Sequence, residues 1–140
     1  MQRGRRIAFD YGDVRIGVAV CDSDAILASP LTTLSNNDKK LKVRLIEIFN
    51  EYEPIVIYVG NPSHMDGTSG ASADKAAAFS ALLASLTSAP IELIDERLST
   101  VSASRSMRDS GVSAKDSRSR IDQAAAVAIL EFALSIEKNR

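Results

Sequence analysis

"RRIAFDYGDVRIGVAV", residues Arg5–Val20, is the stretch from which the architecture follows. Arg6 to Phe9 reads as a strand, and Arg15 to Cys21 as a second, with Ile16, Val18 and Val20 alternating along one face. The short connection through Gly12 favours an antiparallel hairpin. Its turn holds Asp10 and Asp13. One aspartate is ordinary turn chemistry; a second asks whether other carboxylates arrive at the same place.

Outward from the hairpin, a third strand is expected within Ile26 to Leu34, where Pro30 suits a sheet edge. Asp38 can cap a helix running to about Tyr52, with Leu41, Leu45, Ile48 and Tyr52 as its stripe, before Pro54 blocks continuation. "IVIYVG" (Ile55–Gly60) is apolar on both faces, as a strand covered on both sides would be. The loop "GNPSHMDGTSG" (Gly60–Gly70) leads into a helix with Phe79, Leu82, Leu83 and Leu86 in register. "IELID" (Ile91–Asp95) is the next strand, entered from Pro90. Ser99 or Thr100 can cap a further helix ending near Gly111. The polar, basic "VSAKDSRSR" (Val112–Arg120) reads as a mobile connection to a last helix carrying Ile121, Ala125, Ala128, Ile129 and Phe132 and ending near Lys138. The order predicts an α/β fold: a mixed five-stranded sheet, an antiparallel three-strand meander plus two parallel strands, with helices on both faces. Without repeats or a dividing linker, residues 1–140 are expected to form one domain.

With 45% hydrophobic and 25% charged residues, the composition is that of a soluble globular protein. No apolar run approaches the roughly 20 residues that span a bilayer. The basic N-terminus is followed by an apolar stretch broken by Asp10, unlike a signal peptide, which favours the cytoplasm. Cys21 is the only cysteine, which excludes an internal disulfide and a cysteine-based zinc site. Any Ser-His-Asp triad would have to use the single histidine, His64. The net charge of −1 gives weak bulk attraction to nucleic acid. Positive charge is gathered locally instead, at Arg3, Arg5 and Arg6 and at Arg105, Arg108, Lys115, Arg118 and Arg120. Either gathering could equally be a solvated surface.

Acidic residues fall at comparable positions. Asp10 closes the first strand, Asp95 and Glu96 follow the last, and Asp122 is expected in the first turn of the final helix. In open α/β sheets, functional groups collect at the carboxyl ends of parallel strands. Singly, each acid has a local explanation as turn former, cap or helix-dipole partner. Together they need compensation, because two unit charges ~4 Å apart repel by roughly 4 kcal/mol at an effective dielectric near 20. With little His or Cys to serve as ligands, the cation would be a hard one, Mg²⁺ or Mn²⁺. Such a site suits phosphoryl transfer.

Gly67 and Gly70 permit backbone conformations closed to other residues, in a loop that opens onto a helix N-terminus where amides attract anions. His64 in that loop could touch a phosphate or simply be exposed. Arg97, beside the acids, could neutralise developing phosphate charge or pair with Asp95 or Asp10.

"DYGDVRIGVAV", "GNPSHMDGTSG", "DERLST" and "IDQAAAVAIL" resemble, in this order, the four signatures of the YqgF family, also called RuvX or Holliday-junction-resolvase-like. The resemblance runs over essentially the whole chain. It implies a ribonuclease H-like fold and a cytoplasmic bacterial nuclease processing the 5′ end of pre-16S ribosomal RNA. It also implies that Asp10, Glu96 and Asp122 are the acidic site residues, with Asp95 a less certain fourth. The chain departs from the family pattern at Val14, where a Lys is usual, at His64, where an Asn is expected, and at Asn61, where the residue is usually apolar. The first departure removes a phosphate contact beside Arg15; none touches the acids.

The leading expectation is a metal-dependent endonuclease. Asp10, Glu96 and Asp122 would hold Mg²⁺ or Mn²⁺, the cation activating a water for attack on the phosphodiester. Arg15, the glycine-rich loop and the segment Lys115 to Arg120 would position the nucleic-acid backbone, pre-16S rRNA or branched DNA. An ATP-binding phosphotransferase is the second expectation, since actin-like kinases carry a similar hairpin, but they grip nucleotide between two domains. The third is a non-catalytic module binding RNA, the ribosome or transcription machinery; the absence of Trp fits poorly with stacking on single strands.

Overall fold

The computed structural model describes residues 2–61, 71–95 and 115–139. The strands are β1 (Arg6–Tyr11), β2 (Arg15–Cys21), β3 (Ala28–Ser35), β4 (Val56–Asn61) and β5 (Ile91–Asp95). The described helices are α1 (Leu41–Tyr52), α2 (Ala71–Leu86) and α3 (Lys115–Lys138). They form a five-stranded sheet in the order β3-β2-β1-β4-β5. β1–β2 and β2–β3 are antiparallel, whereas β1–β4 and β4–β5 are parallel. This is the expected meander with two added parallel strands, and it puts Pro30 on an edge strand. The helix expected between residues 99 and 111 lies outside the described residues.

Strand alternation sorts the side chains between two cores. Ile7, Phe9, Ile16, Val18, Ile57 and Val59 pack against Leu45, Ile48 and Phe49 of α1 and Phe79 and Leu83 of α2. Phe9 meets both Phe49 and Phe79 edge-on, with ring centroids 6.3 and 5.5 Å away. The opposite face is lined by small residues, Ala8 and Ala19, beneath Ala125, Ala126, Ile129 and Ala133 of α3. Small side chains on both sides let this helix lie close to the sheet. No helix among the described residues is long and apolar enough to cross a membrane.

Two local expectations change. The residue before α1 is Lys40, with no side-chain cap. Asp38 instead accepts from the Lys40 amide at 2.9 Å and pairs with Arg44, which draws its carboxylate outside the helix end. The helix finishes on Glu53 in the left-handed region (φ 45°), whose amide donates to the Phe49 carbonyl at 2.9 Å, before Pro54. The second change is at α3, which begins at Lys115 and takes in most of the segment expected to be a mobile connection. No Gly or Pro follows Gly111, and Lys and Arg are good helix formers, so polarity alone had suggested a break. Asp122 therefore sits well inside the helix rather than in its first turn, and the helix dipole does not account for it.

The β2–β3 turn is organised by Asp22, whose carboxylate accepts the backbone amides of Ile26 and Leu27, both at 2.8 Å, and of Asp24 at 3.2 Å. The Leu27 amide foremost, with those of Ile26 and Asp24, holds the Asp22 carboxyl below the usual carboxylate range. A folded pKa below the unfolded one means that the contribution is present above about 3.9 and is lost as pH falls through the lowered folded value. In an acid titration followed by NMR, the Ile26 and Leu27 amide signals should move with a midpoint below about 3.9, and Asp22→Asn should abolish that step. Amides that titrate at the ordinary value would show that these bonds do not form.

Candidate active site

β1 carries Asp10 at its carboxyl end, on the face covered by α3, and the side chain is only 2% exposed. Its cross-strand partner is Gly17, and the partner of Gly17 on β3 is Thr33, so these residues form one row. The hairpin turn needs Gly12, because a Cβ there would stand 2.6 Å from the Arg15 carbonyl oxygen. Asn36 fixes the same turn from β3, its amide donating to the Val14 carbonyl at 2.9 Å and its side chain to the Gly12 carbonyl at 2.8 Å.

α3 comes down on this row. A Cβ at Gly17 would overlap the carbonyl oxygen of Asp122 and stand 2.5 Å from its carbonyl carbon, so the helix backbone occupies the place of the missing side chain. Cross-strand Cα atoms are about 5 Å apart, which puts the Asp122 backbone within about 10 Å of the Asp10 Cα. Asp122, also buried, accepts through its carboxylate from Arg15 Nε at 2.7 Å. Gln123 Nε2 donates to Thr33 Oγ1 at 3.1 Å. Two distant acids thus share one face and one edge, and burial of both raises the cost of leaving their charge uncompensated. The Arg15 guanidinium offsets part of that charge.

Asp95 ends β5 beside Asn61, and its neighbour Ile94 faces α3 with the second core. By alternation Asp95 belongs to the α1–α2 side, opposite Asp10. Glu96, Arg97, Gly67, Gly70 and His64 lie outside the described residues. Lys115, Arg118 and Arg120 have helical backbone, but their side chains lie outside what is described. Among the described residues, no group of at least three His, Cys, Asp or Glu side chains forms a metal-binding set. The two buried carboxylates supply only oxygen donors, the chemistry that Mg²⁺ and Mn²⁺ prefer.

Asp13, the other turn aspartate, is exposed and pairs with Lys75 of α2 at 2.8 Å, which raises the lysine's pKa. This pair ties the rim of α2 to the hairpin. Of the N-terminal arginines, Arg6 is buried rather than solvated, bound to Glu137 at 2.9 Å at the far end of β1. Thr33, Gln123 and Lys75 were not singled out by sequence. The lone glycine inside the β2 pattern was a readable signal, since such glycines often mark a close backbone approach.

The sheet order and the helix laid across it define a ribonuclease H-like α/β fold. A solved structure of Thermus thermophilus RuvC in complex with a Holliday junction substrate matches it with a TM-score of 0.63 at 14% identity, over 96% of each chain. Residues 4–136 match the family model described as "RuvX: Holliday junction resolvase", and the chain belongs to that family. It is 49% identical to a Streptomyces avermitilis protein named "Putative pre-16S rRNA nuclease", over 99% of this chain and 90% of that one. A Streptomyces coelicolor protein of the same name is also 49% identical, over 99% and 84%.

Proposed function

We propose that the protein is a divalent-metal-dependent endonuclease that hydrolyses phosphodiester bonds at the 5′ end of pre-16S rRNA, in the cytoplasm, during ribosome biogenesis. The observation that carries this is the placement of two buried acidic residues, Asp10 and Asp122, on one face at the carboxyl edge of the parallel strands. Family membership supports the nuclease class.

Asp10, Glu96 and Asp122 would hold Mg²⁺ or Mn²⁺, which when bound supplies the charge that activates water and stabilises the leaving oxygen. Asp95, on the face opposite Asp10 by alternation, would be the weakest member of the set. Arg15, bound to Asp122, would also meet a phosphate of the substrate. Gly67 and Gly70 would bring backbone amides to the phosphates, with Arg97, Lys115, Arg118 and Arg120 adding positive charge along the path. Contacts with the ribosome or transcription machinery would use the same basic surface. The family's resolvase description favours branched DNA as the second substrate.

The test is cleavage of a 5′-extended 16S rRNA fragment, with a four-way DNA junction in parallel. Wild type should cut the RNA in Mn²⁺ and not in EDTA. Loss of outer-shell partners alone costs 10–100-fold, so Asp10→Asn should be slower by about 100-fold or more. Equal cleavage by both proteins would remove the catalytic role of Asp10, and cutting of the junction alone would move the substrate to DNA.

A further inference from the structure

We infer that Gln123 and Thr33 are positioning residues, which set the angle at which α3 presents Asp122 to the row containing Asp10. This rests on the carboxylate site proposed above and extends it to two side chains outside the proposed ligand set.

Asp10, Gly17 and Thr33 are successive cross-strand partners on β1, β2 and β3, all facing α3. Each meets the helix differently. Asp10 contributes its carboxylate, and Gly17 leaves the space taken by the backbone of Asp122 and Gln123. Thr33 contributes the hydroxyl that accepts from Gln123 Nε2 at 3.1 Å. The Gly17 contact limits how near the helix comes, but a backbone resting on a glycine remains free to roll. Consecutive helical residues point about 100° apart, so a bond from Gln123 fixes the direction of Asp122. Arg15, two residues before Gly17 on β2, holds the Asp122 carboxylate itself. The helix is thus located from β3 through Gln123 and from β2 through Asp122.

A merely structural role predicts something else. α3 is held to the sheet by the apolar contacts of Ala125, Ala126, Ile129 and Leu130, which stay when one partly buried hydrogen bond is lost. Stability should change little. Cation binding should change more, because Mg²⁺ and Mn²⁺ sites tolerate little misplacement of their ligands.

The experiment is calorimetric titration of Mn²⁺ into the full chain without nucleic acid, on wild type, Thr33→Val, Gln123→Met, the double variant and Thr33→Ser. Thr33→Val keeps a branched strand residue of the same size, and Gln123→Met keeps length and helix propensity. Each should weaken Mn²⁺ binding about tenfold, the low end of what is lost with a group that orients a metal ligand. Melting midpoints should stay within about 4 °C of wild type. Both substitutions break this shared bond, so the double variant should lose clearly less than the sum of the two single losses. Thr33→Ser should stay within about twofold, since it keeps the acceptor. Wild-type affinity in both single variants would overturn the positioning role alone, as would additive losses in the double variant. A wild type that takes up no Mn²⁺ would instead overturn the carboxylate site, and this inference with it, before any variant is compared.

Discussion

Gly17→Val should destabilise the protein by about 3 kcal/mol or more, at the upper end of what overpacking a close contact costs. For a chain of this size that is a fall of roughly 10 °C in melting midpoint. The new Cβ would overlap the Asp122 carbonyl and stand 3.1 Å from the Gln123 amide nitrogen. Both are main-chain atoms in mid-helix, so no flexible side chain can swing aside. Valine is a better strand former than glycine, so the local preference of β2 improves and the loss comes from the collision alone. Relief requires α3 to lift or tilt, which pulls Asp122 away from Asp10 and stretches its bond to Arg15. Thermal melting and Mn²⁺ titration of the same sample check both consequences: a lower midpoint together with loss of Mn²⁺ uptake. A variant that melts within a degree or two of wild type would mean that α3 does not rest on Gly17.

The same glycine shows what the sequence could reveal. Alternation in Ile16, Val18 and Val20 fixed which face of β2 is buried under α1 and α2, and hence that Gly17 faces the other way. Pro30, Pro54 and Pro90 placed an edge strand, a helix end and a strand entrance where they occur. These are local rules, acting over a few residues. Asp10 was legible because an acid after an apolar strand conflicts with burial unless it has a task. The start of α3 was not legible, because a polar, serine-rich segment can be helical once its apolar continuation docks on the sheet. Thr33 and Gln123 are ordinary surface-type residues in their own segments, and only the meeting of β3 with α3 gives them a joint role. Arg6 misled for a related reason: an arginine beside Arg3 and Arg5 looks solvated until a glutamate from the far end of the chain reaches it.

Glu137→Ala should cost about 3 kcal/mol, the low end of the loss when one partner of a buried ion pair is removed, because Arg6 is buried while Glu137 keeps 15% exposure. Arg6 is 1% exposed, and its guanidinium donates to Glu137 Oε1 at 2.9 Å and Oε2 at 3.3 Å. Carbonyls of Gly4 and Gln2 accept two further N–H groups at 2.6 and 2.7 Å, and the Tyr58 hydroxyl donates to Glu137. Removal of the carboxylate leaves a full positive charge in a space with little water to solvate it, and takes away the acceptor of a buried hydroxyl. The exposed pairs Arg44–Asp38 and Lys75–Asp13 are different: water screens them, and truncating either should cost far less than removing Glu137. Replacing both partners, as in Arg6→Met with Glu137→Leu, should recover much of the loss, because two apolar groups need no compensation. Urea denaturation of the single and double variants measures each term. Arg6 lies four residues before Asp10 on one strand, about 13 Å away, so the folded fraction of Glu137→Ala should keep wild-type Mn²⁺ affinity. A Glu137→Ala protein as stable as wild type would mean that Arg6 reaches water, and the tie between the end of α3 and β1 would then contribute nothing to holding the helix over the sheet.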